Sequence, residues 1–236
     1  MPRRVAYAAG VFAAIVLIWP AFGQQDYVTR FDAYAGYALL DAPSIGLLQN
    51  GVAAQAGFRP NTWLSVGLDY TYAQGDLTIT PGLLTKALQQ RLAGGLAQLA
   101  AAGQLPPGYQ LRVPAFSRTQ TATAGAELVF RHFAHETLFL RPVFAGAIYE
   151  TANLRPRDAI AAAIVTQIAH SGTASDVTWF IGAGGGIDIL FGHHFALRNQ
   201  VDVVWNHLFS DLLANGRWEI RYSVGPAFNF GKNIKQ

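Results

Sequence analysis

The chain has 236 residues, of which 51% are hydrophobic, 13% are charged and none is cysteine. So apolar a composition excludes a disordered protein, and the absence of cysteine excludes disulfides and thiolate zinc sites. The formal net charge of +3 is too small to indicate a nucleic-acid partner. Composition leaves soluble and membrane proteins both open, so the order of the residues has to decide between them.

Residues 1–23 have the order of a secretory signal peptide. Arg3 and Arg4 precede an apolar run of 15 residues at 5–19, and the small-x-small sequence at 21–23 follows. A transmembrane helix needs roughly 20 apolar residues to cross the hydrocarbon core, so an uncleaved anchor is the weaker alternative. The sequence therefore predicts a cleaved signal peptide and a barrel domain of residues 24–236.

Apolar and polar residues alternate with a period of two in eight segments of this domain. No apolar run in it reaches 18 residues, so the chain must cross a membrane with strands if it crosses one at all. In the fifth segment the period predicts that Phe144 and Ile148 face lipid and that Arg141 and Tyr149 face the lumen. The alternating segments are residues 30–40, 50–59, 63–73, 121–131, 138–149, 177–189, 197–206 and 218–230.

The connections between these segments alternate between short and long. Short periplasmic turns and longer outer loops alternate in this way in transmembrane barrels, and aromatic residues near both strand ends predict two interfacial girdles. The sequence therefore predicts an all-β fold, an eight-stranded antiparallel up-and-down transmembrane barrel. A soluble lipocalin-like barrel or β-sandwich is the alternative. The longer connections are predicted at about residues 41–49, 74–118, 151–175 and 207–215.

Two of the long loops contain helical patterns. In the first, leucines recur at spacings of four and three from Leu84 to Leu99, and in the second Asp158 opens an apolar stretch at 159–169. Both predict short amphipathic helices. They would form either a lid that grips a ligand over the barrel mouth, or stripes that pack on the rim or lie in the outer leaflet.

The closing segment, residues 223–230, has a polar residue, then glycine, then two aromatics at alternate positions. With the strand pattern, it resembles the OmpA/OmpX-like family of small outer-membrane barrels across nearly the whole domain. The resemblance implies an outer-membrane location, lipid as a partner, and recognition by the barrel assembly machinery through Ser223, Gly225, Phe228 and Phe230.

Two prolines fall in strands that should be central in a closed barrel. Pro142 and Pro226 lack the N–H that a ladder needs. The sequence predicts β-bulges at both positions.

The inward face of the predicted barrel carries acids and arginines in nearly equal number. A lumen just wide enough for side chains holds such charges only when they are paired and hydrogen-bonded. This predicts a plugged lumen and disfavours a wide pore, whereas a proton or ion path along the same charges is the alternative. The predicted network is Asp32, Arg59, Asp69, Glu127, Arg131, Arg141, Asp188, Arg198, Asp202, Glu219 and Arg221.

Candidate catalytic and metal-binding groups fail on spacing. His207, Ser210 and Glu219 resemble the set of the outer-membrane lipid A deacylases, but a gap of three places His207 and Ser210 on opposite faces of a strand. His193 and His194 are adjacent and have no evident third ligand. The glycine-rich run at 182–186 lacks the Lys-Ser/Thr of a phosphate loop and indicates tight packing instead.

These observations predict a noncatalytic protein without a metal or cofactor, which serves the envelope structurally or through its long loops. A barrel that binds or translocates a small apolar ligand or ions is the alternative. A lipid A-modifying enzyme is the remote alternative.

Overall fold

The computed structural model describes residues 25–214 and 217–235, so the predicted signal peptide lies outside the described residues. Within this part of the chain, eight antiparallel strands form one closed barrel in chain order, which confirms the predicted fold class. The strands are β1 (Thr29–Ala42), β2 (Leu47–Asn61), β3 (Leu64–Ile79), β4 (Val113–Phe130), β5 (Glu136–Leu154), β6 (Thr173–Phe191), β7 (Phe195–Asn206) and β8 (Arg217–Asn233).

The exterior of the barrel is apolar, as the period-two pattern predicts. Val52, Leu68 and Val177 are each about 60% exposed or more on this outer face. Leaving so many large apolar side chains in water would be unfavourable, whereas lipid accepts them. Because β1 pairs with β8, every strand also has two partners and no edge is left without hydrogen bonds in the membrane.

Aromatic rings cluster at both ends of the strands. At the turn end, the ring of Phe31 lies 5.6 Å from that of Phe58 and 5.6 Å from that of Phe230. At the loop end, Trp179 and Trp205 are 6.0 Å apart. Rings at these levels fit the two membrane interfaces, so the girdles mark where the lipid begins and ends.

The connections at the turn end are short, at residues 62–63, 131–135 and 192–194. At the other end, one predicted long loop is wrong: β1 and β2 stay paired as far as Ala42 and Leu47, so only residues 43–46 join them. Ile45 donates to the Ala42 carbonyl, and Gly46 has φ +66, which favours glycine. The remaining connections are residues 80–112, 155–172 and 207–216.

Both predicted loop helices are present. After a short 3-10 helix, Pro81–Leu83, the first long loop forms α1, Lys86–Ala101, and the second forms α2, Ala159–Ile168. Among the described residues, no helix has the length and apolar character needed to cross a membrane.

The predicted bulge at Pro142 is confirmed, since the β5–β6 register shifts between Arg141 and Phe144. The extra residue reverses the facing of everything after it, so Phe144 points inward although it lies three residues from the inward-facing Arg141. The predicted facing of Phe144, Ile148 and Tyr149 is therefore wrong: the first two are buried and Tyr149 is exposed. A strict period of two carried across a bulge gives the wrong face.

The predicted bulge at Pro226 is wrong. Pro226 pairs in register with Leu197 of β7. On the β1 side, pairing stops between Tyr34–Ala227 and Tyr37–Val224 without any change of register. The missing N–H is thus accommodated by an interruption of the β1–β8 ladder rather than by an extra residue.

Candidate functional site

The middle of the lumen is crossed by one arginine that three strands hold. The Arg141 guanidinium pairs with Asp69 of β3 and with Asp202 of β7, where Nη1 lies 3.0 Å from Oδ2. Its Nε lies 3.7 Å from Glu127 of β4. All four side chains are buried or nearly so, and Arg141 itself is only 1% exposed. Charged side chains from opposite walls of the barrel are paired here, and they occupy the centre of the lumen.

A second arginine lies nearer the turn end. Arg198 binds both oxygens of Asp188, at 2.7 and 2.8 Å, and its Nη2 lies 3.3 Å from Asp32. Gln55 joins the two layers, because it accepts from Arg198 Nη1 and donates to Glu127 Oε1, each at 2.5 Å. The network is therefore continuous from one layer to the next.

The turn end of the lumen holds two more of the predicted arginines. Arg59 Nη2 lies 3.0 Å from Asp32 Oδ1. Arg131 pairs with no carboxylate among the described residues; it donates to the Thr62 carbonyl and to Gln25 Oε1. Gln25 also donates to Thr137 Oγ1 at 2.8 Å. The start of the described chain therefore lies across the periplasmic mouth of the barrel.

At the loop end, an ion pair that the sequence analysis missed continues the network. Arg217 pairs with Glu150, and its Nε lies 3.0 Å from Glu219 Oε1. Arg221 Nη2 lies 3.5 Å from Glu219. The alternation of β8 places Arg217 on the inward face, but the strand was predicted to begin one residue later. A prediction that began the strand at Arg217 would have included this arginine in the network. Glu150 lies after the bulge in β5, so the uninterrupted alternation did not place it on the inward face.

Two aromatic rings pack beside the arginines of the lumen. Phe144 and Phe180 meet edge to face at 6.4 Å; Arg141 lies 4.3 Å from the Phe144 ring and Arg221 lies 4.6 Å from the Phe180 ring. The glycine-rich run of β6 makes room for them, because a Cβ on Gly182 would lie 2.5 Å from Phe144 Cζ. The run thus permits tight packing in the lumen.

The space left inside the charged layers is small. A void beside Arg141, Asp202 and Arg221 has a volume of about 30 Å³. A water molecule needs about 10 to 15 Å³ of such space, so the void has room for roughly two waters. The lumen at this level is filled by side chains.

Above the charged lumen, the loops line a partly open apolar chamber of about 70 Å³. Its roof is built from both loops: Ala161 and Val165 of α2 pack against Leu111 and Val113, and Leu92 of α1 packs against this cluster. The leucine stripe of α1 therefore packs against the rim through Leu92. Among the described residues, three of the twenty that line the chamber are polar: Thr80, Glu150 and Arg217.

The roof is fixed at the N-terminus of α2. Asp158 accepts from the Ala161 amide at 2.7 Å and from the Tyr109 hydroxyl at 2.9 Å. The bond from Ala161 lowers the pKa of Asp158 below its ordinary value. Burial, aided by Asp158, raises the pKa of Tyr109 to about 12. One carboxylate therefore joins the two long loops.

Acidification is expected to loosen α2. Because the folded-state pKa of Asp158 is lowered, its contribution is present above the unfolded pKa and is lost as the pH falls through the folded pKa. The protection factor of the Ala161 amide should therefore fall below about pH 4. Hydrogen exchange in wild type and in Asp158→Asn measures this, because asparagine keeps the cap oxygen but does not titrate. An equal fall in both proteins would assign the effect to another group.

The rejected candidate groups lie apart. His207 and Ser210 are exposed in the last loop, whereas Glu219 is buried in the lumen against Arg217. His194 Nδ1 is engaged with the Asn229 carbonyl at 2.8 Å. Among the described residues, no group of three or more histidine, aspartate and glutamate side chains could hold a metal ion.

The residues of the closing segment lie on two faces of β8. Phe228 and Phe230 are exposed on the lipid side and stack at 5.9 Å. Ser223 and Gly225 belong to the inward-facing set, and a Cβ on Gly225 would lie 2.5 Å from the Gly36 Cα. The two aromatics thus also form part of the turn-end girdle.

A closed barrel with an apolar exterior between two aromatic girdles and a charge-filled interior is a small transmembrane barrel of the bacterial outer membrane. The fold is that of the small OmpA/OmpX-like outer-membrane barrels. The predicted outer-membrane location agrees with the apolar exterior between the two girdles.

No protein-family model matches the chain, and no curated protein matches it. Solved structures are similar. The outer membrane protein OprG from Pseudomonas aeruginosa is 12% identical, with a TM-score of 0.50, and the match covers 88% of this chain and 99% of OprG. A major outer membrane protein from Thermus thermophilus is 12% identical, with a TM-score of 0.48, over 84% of this chain and 99% of that one. Ail, the attachment invasion locus protein of Yersinia pestis, is also 12% identical, with a TM-score of 0.47, over 86% and 99%.

Proposed function

We propose that this protein is a noncatalytic outer-membrane barrel with a sealed lumen, which acts through its extracellular end rather than by conducting solutes. The observation that carries the proposal is the position of Arg141, bound at the centre of the lumen by carboxylates from β3, β4 and β7. Each of these three carboxylates accepts a hydrogen bond from a side chain of the barrel itself, so the layer needs no solute to hold it together.

The energetics favour a plug over an ion path. Removing charges from water is costly, and that cost is offset inside a protein only by close pairing and hydrogen bonds. Arg198 forms a bidentate ion pair with Asp188, and this geometry offsets the desolvation cost of the two charges best. An ion that displaced these partners would have to supply equivalent bonds while moving.

Planar-bilayer recording of the purified mature protein tests the sealed lumen. We expect conductance at the level of the bare bilayer. A variant without α1 and its flanking loop, residues 80–112 joined by a short turn, is the matched control. Its conductance should also stay low, because the seal lies below the loops. Steady channels in both proteins would contradict the sealed lumen. Channels in the shortened protein alone would show that the loops, and not the charged layers, close the barrel.

The absence of catalysis is part of the proposal. The histidine and serine that resemble a deacylase set are exposed in the last loop and do not meet the buried Glu219. We also propose that the barrel assembly machinery recognises Ser223, Gly225, Phe228 and Phe230 during insertion. The two lipid-facing aromatics are available to a partner on the outside of β8.

A second function is favoured by the chamber under α1 and α2. Its walls are apolar, and it is closed below by the charged lumen. Ligand sites have this form: mostly apolar walls with a few polar groups that fix orientation. We propose that the extracellular end binds a small apolar molecule there, while the lumen below stays sealed.

A further inference from the structure

Three exposed arginines lie together at the loop end of β4 and β5, and they form what we call the arginine patch. The guanidinium carbons of Arg118 in β4 and of Arg155, directly after β5, lie 5.4 and 5.3 Å from the centroid of the Phe116 ring. Arg155 and Arg157 line one open groove. Among the described residues, no carboxylate forms an ion pair with any of the three. The patch therefore presents its charges to the surroundings of the barrel.

The acids near the arginine patch do not balance its charge. Among the described residues that line the groove, Asp76 is the only acid. Asp158, which follows Arg157 in the chain, accepts hydrogen bonds from the Ala161 amide and the Tyr109 hydroxyl. Three arginines beside two acids leave an excess of positive charge, and the two guanidinium groups held around one ring repel each other. An anion bound between them would relieve this repulsion.

The pairing of the strands sets the depth of the patch relative to the membrane. Two successive cross-strand rows of β3, β4 and β5 face outward here: the lower row is Tyr72, Gln120 and Tyr149, and the row above it is Gln74, Arg118 and Thr151. Tyrosine side chains on the outside of a barrel mark the interface between the hydrocarbon and the headgroups. Arg118 lies in the first polar row beyond them, so it reaches the headgroups of the outer leaflet.

Below the patch, the lipid-facing side chains of β4 and β5 are small, whereas those of β3 and β6 are large. One row across the four strands consists of Leu68, Ala124, Ala145 and Ile181. The two alanines form the floor of a shallow groove between the larger side chains. The groove provides space for an acyl chain whose headgroup lies at the arginines above it.

We propose that the arginine patch binds the phosphate group of a phosphorylated lipid in the outer leaflet, with Arg118 and Arg155 donating to the phosphate oxygens. Guanidinium groups suit phosphate because their planar N–H forks match its oxygens and stay charged. The acyl chains of the lipid lie over the alanines of β4 and β5. The proposal is independent of the chamber and of the sealed lumen, and it gives one part of the barrel surface a defined lipid site.

Nuclear magnetic resonance of the folded protein in phosphatidylcholine nanodiscs tests the lipid site. Nanodiscs are prepared with increasing fractions of bisphosphorylated lipid A, and the guanidinium Nε–H signals of Arg118 and Arg155 are followed. Two comparison probes are used: lipid A from which both phosphates have been removed, and inorganic phosphate added to nanodiscs of phosphatidylcholine alone. The first probe isolates the phosphate group, and the second isolates the lipid that carries it.

Bisphosphorylated lipid A should shift both arginine signals, and the shift should saturate. The dephosphorylated lipid should leave the signals unchanged, and inorganic phosphate should bind far more weakly because nothing holds it at the membrane. Equal shifts from the two forms of lipid A would overturn the proposal, since phosphate would then not be recognised. Saturation by inorganic phosphate at the same concentration would also overturn it, because the patch would then bind a free anion rather than a lipid.

Single substitutions separate a defined site from a general attraction by charge. Arg118→Gln and Arg155→Gln should each weaken the binding of lipid A about fivefold, read from the signal of the arginine that remains. Arg30→Gln is the matched control, because Arg30 is exposed at the turn end and its guanidinium carbon lies 6.0 Å from the centroid of the Phe58 ring. This control should leave the affinity unchanged. Equal weakening in all three variants, or no weakening in the first two, would overturn the proposal.

Discussion

Replacing Arg141 with alanine is expected to destabilise the barrel by about 3 to 5 kcal/mol. The variant leaves Asp69, Glu127 and Asp202 without their shared cation in a lumen where they are buried or nearly so. Removing one member of a buried ion cluster costs far more than the cluster contributes as a whole, because the stranded charges remain desolvated. Urea unfolding of the refolded protein in lipid vesicles measures the change.

Val66→Ala is the matched control for this experiment. Val66 is exposed on the lipid face of β3, close in sequence to Asp69. Lipid can fill the space of the lost methyl groups, so the cost should be well below that of Arg141→Ala. If the charges instead line a water-filled path, Arg141→Ala should change ion selectivity and hardly move the unfolding midpoint. Reversal potentials measured on the same variant separate the two cases.

The second large effect is expected at Phe144. This side chain is 2% exposed and packs against Phe180 and Ile148 below the chamber. Phe144→Ala should cost about 3 to 5 kcal/mol, because the rigid barrel wall cannot collapse into the cavity that the ring leaves. The Arg141 guanidinium, which lies 4.3 Å from the ring, would also lose a contact.

The neighbouring residue provides the control. Val143 is 66% exposed to lipid, although it lies next to Phe144 in the bulge. Val143→Ala should change the unfolding free energy by less than about 1 kcal/mol, since the side chain packs against lipid rather than protein. A larger loss in Val143→Ala than in Phe144→Ala would mean that the bulge does not reverse the facing of β5 as described.

How far the fold follows from the sequence can be seen by comparing two strands. In β3 the period of two runs unbroken from Leu64, so the face on which each side chain lies follows directly from the pattern. In β5 the proline indicated a bulge. It did not indicate whether the residues before the bulge or those after it keep the facing that the alternation predicts. That depends on how the ladder re-forms beyond Pro142, which involves hydrogen bonds to β4 and β6. Local sequence does not specify those bonds.

The candidate site divides in the same way. The inward positions of Asp32, Arg198 and Asp202 follow from alternation, but their partners depend on strand tilt and stagger around the barrel. Arg131 illustrates this: it faces inward yet meets Gln25 instead of an acid. The chamber could not be predicted from the sequence, because its walls come from all four connections at the loop end and from the strands below them, and no local pattern sets the relative positions of these segments.

The order of strand pairing also shapes how the chain reaches its folded state. In the described chain, seven of the eight pairings join strands that are neighbours in sequence, and only the β1–β8 seam joins the two ends. Hairpins that close short loops form readily, whereas contacts between distant residues slow folding. The seam is completed by bonds such as that from the Val28 amide to Asn233 Oδ1 at 3.0 Å. Assembly can therefore proceed as a growing sheet whose free edges meet last, and substitutions at the seam should alter the final, slow step of folding more than the early ones.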